Sequence, residues 1–403
     1  MKPQYIKDFE KLGFGIFVHF GLYSIIGKGE WYKFMYNVKK EEYHKLFNRF
    51  KVSKSWATNL VRTAKKAGAR YITLTTRHHD GFSLYDTCGL SNYDAPHSSV
   101  KRDLIREFVD ACNKENIVPM FYHTLLDWEQ DDYENNFPRY IDYLIKSVEI
   151  LCRNYGKIGG LWFDGAWNKP NADWQFDRLY KTIRKYQPEA MIINNTGLFE
   201  GGVITHPEID SVTFERGTPA RVTSADEKER AGEVCDSLTE HWGYAKNDLS
   251  IKSIPYLIEE LVECRYNQCN LLLNVGPLPN GELRPIEKDT LIELGKWVKL
   301  YGKIIFDYQP SSLKAENALI FEDEQDNYYA LINKVPMSAN ENVVRQQNRP
   351  LITIETDKKI VGPKFLDPND QKVVVNQKTH SFEALPFMYG LSLGTRVIKF
   401  KLK

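Results

Sequence analysis

Two acidic residues in this chain stand where apolar runs stop, Asp164 in Gly159-Gly-Leu-Trp-Phe-Asp-Gly-Ala-Trp167 and Glu215 in Ser211-Val-Thr-Phe-Glu-Arg-Gly217. Two carboxyl groups in different surroundings can divide acid–base work, one attacking while ionised and the other, kept protonated, supplying a proton to a leaving oxygen. Displacement at the anomeric carbon of a glycoside uses such a pair, with the carboxyls about 5–5.5 Å apart for retention and about 6.5–9.5 Å apart for inversion. Polar residues close other apolar runs too: His19, the set Arg77 to Asp80 with His78 and His79, Tyr122 with His123, Asn194 with Asn195, and His241 with Trp242. One such residue ordinarily does no more than satisfy a neighbouring loop, whereas seven strand ends of this kind point to a site. Trp31, Tyr32, Tyr122, Trp128, Trp162, Trp167 and Trp242 gather at the same places. Sugars lay their C–H faces on aromatic rings and need His, Asp, Glu, Asn or Arg for their hydroxyls, so Arg216 and Tyr32 join the candidate binding set. Trp162, inside a strand, is expected in the core; Trp31, Trp167 and Trp242 are expected in the pocket.

The elements that must hold these residues alternate short apolar runs with longer amphipathic stretches. The expected strands are Gly15–Phe20, Tyr71–Thr76, Val118–His123, Gly160–Asp164, Met191–Asn194, Ser211–Glu215, Leu238–Trp242 and Asn270–Val275. Helical patterns at Trp56–Ala67, Leu104–Glu115, Arg139–Asn154, Asp173–Tyr186 and Ile254–Cys264 are long enough for the crossovers that join parallel strands. Eight strands in one sweep, with no glycine-rich phosphate loop after the first, favour an α/β fold of the (β/α)8 TIM-like barrel kind over an open doubly wound sheet. In such a barrel the chemistry sits at the carboxyl ends of the strands, where the polar residues lie. After a helix near Lys288–Tyr301 the pattern changes to short alternating runs, including Ala318–Glu322, Tyr328–Ile332, Lys372–Val375 and Gly394–Phe400. That predicts a small C-terminal antiparallel β-sandwich domain, so the expected division is 1–304 and 305–403.

Composition limits the partners. The 403 residues carry 54 Lys and Arg against 53 Asp and Glu, a net charge of +1 that favours neither nucleic acid nor an anionic membrane. No run of 18 apolar residues occurs, and the charged N-terminal segment lacks a signal peptide's apolar stretch. Six cysteines without CxxC spacing read as structural thiols of a reducing compartment. A cytoplasmic location is therefore expected, or a periplasmic or secreted one if a leader has been removed. The charge pattern says nothing of the oligomeric state.

Gly15-Ile-Phe-Val-His-Phe-Gly-Leu-Tyr-Ser24, Gly29-Glu-Trp-Tyr32, Arg77-His-His-Asp-Gly-Phe82, Leu161-Trp-Phe-Asp-Gly165 and Asn270-Leu-Leu-Leu-Asn-Val-Gly-Pro277 together resemble, in this order, the α-L-fucosidases of glycoside hydrolase family 29. The resemblance covers residues 13 to about 281 and leaves the last 100 residues without a matching motif, though the family leads one to expect a β-sandwich there. It implies retaining double displacement on a terminal fucosyl residue of an oligosaccharide or glycoconjugate, with Asp164 as nucleophile. It also implies that His19, His78, His79, Glu30, Trp31 and Tyr122 contact the fucose hydroxyls, that an aromatic near Trp242 lies against the C5 methyl, and that no metal or organic cofactor takes part. The family's acid/base sits on a variable stretch. Glu215 is the choice because it ends an apolar strand, whereas its rival Glu240 follows a polar stretch and Asp236 is a weaker third. Two departures stand out: Phe20 where many relatives have Trp, and His123 where a small residue is commoner. Both bear on the rim of the pocket or its leaving-group side.

Two other readings compete. In the first, His19, His78, His79, His123 and Asp164 hold a hydrolytic metal. Against it, the first strand has no HxH pair, and adjacent residues such as His78 and His79 point opposite ways on an extended chain. In the second, a non-catalytic fucose- or galactose-binding protein keeps the pocket and has lost its chemistry; the presence of both strand-end carboxylates argues against that.

Overall fold

The computed structural model describes residues 2–195, 203–223, 228–336, 349–368 and 371–403. Eight parallel strands close into a barrel: β1 (Phe14–Val18), β2 (Tyr71–Arg77), β3 (Val118–Thr124), β4 (Gly160–Asp164), β5 (Met191–Asn194), β6 (Ser211–Glu215), β7 (Ala231–Ser237) and β8 (Cys269–Val275). The ring shuts where β1 pairs with β8, Phe14 opposite Leu271 through Val18 opposite Val275. Most of these strands are buried on both faces, as a parallel barrel requires, and so they read as near-continuous apolar runs.

Helices Trp56–Ala67, Leu104–Glu115, Phe137–Asn154 and Phe176–Tyr186 follow β1 to β4 in turn. Asp103 and Asn136 cap two of them by accepting from backbone N–H groups of the first turn. The described residues between β5 and β6 and between β6 and β7 hold no helix, and the sequence pattern placed none there. The seventh strand also differs from expectation: it is Ala231–Ser237, and Leu238–Trp242 is the loop that follows. The reason lies at Glu233, an inward-facing carboxyl in the middle of β7 that makes the segment look unlike a core strand. It is satisfied inside the barrel by Tyr71 Oη at 2.6 Å and Trp162 Nε1 at 2.9 Å, two donors that no local pattern reveals.

The N-terminal helix Gln4–Leu12 brings Ile6 and Phe9 into one apolar cluster with Tyr71, Met120, Met191, Ala231 and Leu272 of the barrel strands. Each buried side chain of that size contributes roughly 1.5–3 kcal/mol. Asn270 Nδ2 donates to the Phe9 carbonyl at 2.8 Å and fixes the helix's register on the barrel. All six cysteines are free, and among the described residues no helix is long and apolar enough to cross a membrane.

By contacts the chain forms two compact units, residues 1–251 with 269–292, and residues 252–268 with 293–403. In the second, helix Ile254–Tyr266 and the later part of helix Pro285–Asp307 join nine strands: β9 (Gln309–Pro310), β10 (Ala315–Glu316), β11 (Leu319–Glu322), β12 (Tyr328–Ile332), β13 (Leu351–Ile354), β14 (Ile360–Phe365), β15 (Val375–Asn376), β16 (Ser381–Glu383) and β17 (Arg396–Leu402). They make two antiparallel sheets, β10-β13-β16-β15 and β14-β17-β12-β11-β9. Ile320, Ile332, Ile398 and Phe400 of one sheet share a core with Ile352, Ile354 and Phe382 of the other, which is the packing of a sandwich. Of the expected strand Lys372–Val375, only Val375 lies in regular structure.

Candidate active site

Side chains two apart on a strand share a face, and this parity builds the site. Trp162 and Asp164, Ile193 and Asn195, Thr213 and Glu215, and Glu233 and Cys235 are successive inward positions of β4 to β7, and Glu215 is directly paired with Cys235. At the carboxyl end of the barrel they open into a cavity of about 290 Å³ lined by Phe17, His19, Trp31, His78, Tyr122, Trp162, Asp164, Trp167, Asn195, Glu215, Cys235 and Trp242. That volume is at the small end for ligand sites and suits one sugar ring.

Three donors converge on Asp164: Trp167 Nε1 at 2.9 Å, Tyr122 Oη at 3.1 Å and Asn195 Nδ2 at 3.4 Å. The backbone makes this convergence possible through Gly165, whose φ of 103° turns the chain sharply after β4 so that Trp167 faces back on the carboxylate. A Cβ at Gly165 would come within 2.7 Å of Leu126 backbone nitrogen, so the position requires glycine. Asn195 Nδ2 also donates to Glu215 Oε2 at 2.6 Å, while its own oxygen accepts from Thr213 Oγ1. One amide nitrogen thus touches both carboxyls, and the two oxygens it bonds lie no farther apart than the sum of its contacts, 2.6 and 3.4 Å. Burial, and next the charge of Asp164, push the Glu215 carboxyl up to about 7, although the Asn195 hydrogen bond pulls the other way.

The histidines near the cavity are held neutral by burial. His19 Nδ1 is 2.7 Å from Asn274 Oδ1, and Asn274 gives both amide hydrogens to Ser237 Oγ and the Trp242 carbonyl. Asn274 Oδ1 can therefore only accept, His19 carries its proton on Nδ1, and Nε2 is left as an acceptor. Burial lowers His19 to about 3 and His79 to about 4. His78 is also driven down by burial and by its two histidine neighbours. Its ring lies flat on Tyr122 at 5.4 Å, and its buried Nδ1 has no hydrogen-bond partner among the described residues. His79 Nδ1 meets Thr124 Oγ1 at 2.7 Å, and its Nε2 stands 3.5 Å from Asp164. The chain leaves β2 at Arg77, so His78 and His79 are not on an extended backbone and their rings come within 4.2 Å, contrary to the alternation expected.

Trp31, Trp167, Trp242, Tyr122 and His78 line the cavity as the sequence leads one to expect, and Trp162 does so while also belonging to the core. His79 stands behind the lining, against Asp164, and three more candidates are placed elsewhere. Glu30 is buried beside the cavity, its Oε2 accepting from Gly243 N at 2.7 Å, and so braces the Trp242 loop. Tyr32 packs its ring on Tyr36 at 4.9 Å. Arg216, at φ 51°, turns out of β6 and lies over Trp242 at 5.1 Å while pairing with Glu240. Glu240 is exposed and Asp236 is engaged with Ser237 N, and neither lines the cavity. His123 faces the helical layer, between Thr76 Oγ1 and Ser147 Oγ, so it is not available to a metal shared with His19. Among the described residues no group of three His, Cys, Asp or Glu side chains is arranged to hold a metal ion. Phe20 packs on Phe50 and Trp56, so neither departure reaches the cavity lining. Sequence reasoning missed Phe17 and Cys235 as lining residues, Cys235 being lost with the misplaced seventh strand, and it named Asn195 as a strand end without giving it a place in the site.

The family model for alpha-L-fucosidases matches residues 2–303. The chain belongs to the alpha-L-fucosidase family. It is an enzyme, a glycoside hydrolase. Among solved structures it is similar to α-L-fucosidase isoenzyme 1 from Paenibacillus thiaminolyticus, with 30% identity, a TM-score of 0.83 and 99% of each chain covered. Tissue α-L-fucosidase of Bos taurus is 28% identical over 362 residues, 80% of this chain and 74% of that protein. A family 29 α-L-fucosidase from Bacteroides thetaiotaomicron, solved as a trapped covalent intermediate with 2-fluoro-fucosyl fluoride, shares the fold at 23% identity and a TM-score of 0.81, covering 100% of this chain and 97% of that one.

Proposed function

We propose that this fucosidase removes terminal α-L-fucosyl residues from oligosaccharides or glycoconjugates with retention, Asp164 attacking the anomeric carbon and Glu215 serving as acid and then base. The observation that carries the reading is the Asn195 amide that bonds an oxygen of each carboxyl, because it sets both acids against one small cavity. The raised Glu215 carboxyl supports its role as proton donor at neutral pH. On this reading the anomeric carbon bonds to Asp164 as the leaving oxygen takes the Glu215 proton, and Glu215 then draws a proton from the water that releases fucose. The covalent intermediate trapped in the Bacteroides enzyme fits such a sequence.

His19 Nε2, His78 Nδ1 and His79 are proposed to meet the sugar hydroxyls, and Trp31 and Trp167 to lie against the ring. Trp242, which packs on Phe17 at 6.1 Å, is proposed as the apolar wall for the C5 methyl. The small cavity closed below by Phe17 and Trp162 supports an exo mode of action. Glu30 and Arg216 act here as supports of the Trp242 loop rather than as sugar ligands. The proposed catalytic module, 1–304, contains every lining residue, and six free thiols are in keeping with a reducing compartment.

Asp164→Gly tests the assignment. Turnover of an aryl fucoside should fall by about three orders of magnitude or more, since the covalent step is lost, and added azide should restore it with a fucosyl azide of inverted configuration. A retained azide product, or near-normal turnover by Asp164→Gly, refutes it. A panel of p-nitrophenyl glycosides should show fucoside turnover well above galactoside, and comparable rates would remove Trp242 as a methyl-selective wall.

A further inference from the structure

Phe34, Met35 and Tyr36 are three successive large apolar side chains exposed by 59%, 68% and 60%. A soluble protein keeps such runs off its surface unless they do something. This run is also held in place. The Phe34 ring lies nearly parallel to Trp128, with centroids 5.6 Å and planes 20° apart, and both rings abut Trp31, at 5.5 and 5.2 Å. Trp31 lines the cavity, so the aromatic surface runs continuously from the pocket rim outward.

A single carboxylate fastens the two segments that carry these rings. Glu129, next to Trp128, receives Lys33 Nζ at 3.5 Å, Lys40 Nζ at 3.1 Å and His44 Nε2 at 3.0 Å, all three from the segment around Phe34. Trp128 N donates to the His79 carbonyl at 2.8 Å. Gly81, at φ 80°, lets the loop after His79 close on Glu129, whose Cβ would be 2.2 Å from a Cβ at that position. The rings are therefore preorganised rather than swept along by a loose loop, and preorganisation is what a binding surface gains from such fastening.

Resting on the fucosidase reading, we propose that Phe34, backed by Trp128, is the platform for the sugar ring that carries the fucose. The cavity holds one ring, and the sugar joined to its anomeric oxygen must emerge over the rim. A pyranose presents a C–H face there, and the exposed Phe34 face is the complementary surface one ring beyond Trp31. The platform adds affinity for the leaving sugar without touching the reacting atoms. A second copy of the chain is the other occupant an exposed apolar run could take, and the experiment separates the two.

The test compares α-L-fucosyl fluoride, whose leaving group has no ring, with the fucosyl disaccharide that the wild type cleaves best, for wild type, Phe34→Ala and Phe34→Tyr. Phe34→Ala should raise KM for the disaccharide about five- to tenfold, the size of one lost ring stack, with kcat and both constants for the fluoride within about twofold. Phe34→Tyr should behave as wild type. An equal loss on both substrates, or an unchanged disaccharide KM, overturns the proposal. So does a wild type that elutes as a dimer and becomes monomeric on Phe34→Ala with its disaccharide KM unchanged. A wild type inactive even on the fluoride refutes the fucosidase reading itself.

Discussion

Replacing Asn195 by alanine removes an amide that bonds both carboxyls, and its effect on the pH profile has a definite sign. Burial and Asp164 hold the Glu215 carboxyl up at about 7, and the 2.6 Å bond from Asn195 opposes them by favouring the ionised form. A hydrogen bond to a charged group is worth roughly 1.5–3 kcal/mol, and one pKa unit corresponds to about 1.4 kcal/mol. Cavity water recovers part of the lost bond, which leaves an upward shift of about one unit. The descending limb of kcat/KM against pH reports ionisation of the proton donor in the free enzyme. For Asn195→Ala that limb should therefore move about one unit toward alkaline pH when the substrate has a poor leaving group, such as a disaccharide. With fucosyl fluoride, which needs no proton, the limb should be weak in wild type and variant alike. A descending limb that stays in place or moves toward acid would refute the assignment of Glu215, and the same profile measured on Glu240→Ala would show whether the exposed rival sets it instead.

Glu233→Gln should change how stability depends on pH: burial lifts the Glu233 carboxyl to about 7, so the folded wild type binds a proton that the unfolded chain releases above about 4.5, and wild-type stability falls between those values and is level above them. The Tm of Glu233→Gln minus that of wild type, measured by calorimetry from pH 5 to pH 8, should accordingly rise with pH, and a flat or falling difference would contradict the buried-carboxyl account. Gly165→Ala forces a side chain into left-handed backbone and against Leu126, which should cost roughly 2–4 kcal/mol in urea unfolding and lower kcat by about 100-fold through displacement of Trp167 and Asp164; a variant within about 0.5 kcal/mol of wild type and fully active would show that the turn has no such strain.

Much of this architecture is written in local periodicity. Strands β4 and β5 coincide with their apolar runs because they are buried and nothing polar interrupts them before the terminal Asp164 and Asn194, and β6 is found at the expected Ser211–Glu215 although Thr213 stands in its middle. β7 was unreadable for a physical reason, since the partners that make Glu233 tolerable, Tyr71 and Trp162, are 162 and 71 residues away in the chain. The candidate site divided along the same line. Strand parity and strand ends point to Asp164, Glu215 and Tyr122, whereas Arg216 turns out of its strand onto Trp242 and Tyr32, which opens a short helix, packs on Tyr36. Glu30 is a subtler case, close to the cavity yet turned to a backbone amide that only the folded loop brings near. The coupling through Asn195 had no sequence signal of its own, because it depends on three strands converging.

The proximity of Asp164 to Glu215 also makes the proposed cycle self-timing. Part of what keeps Glu215 protonated is the negative charge beside it. When Asp164 is consumed as an ester, that charge disappears, the Asn195 hydrogen bond then acts with less opposition, and Glu215 relaxes toward an ordinary carboxylate. The residue thus holds its proton more tightly while there is a leaving group to protonate than once a water must be activated, with burial raising it in both states. No loop movement or outside proton carrier is needed to reset it, since hydrolysis of the ester returns the charge and with it the affinity for the next proton.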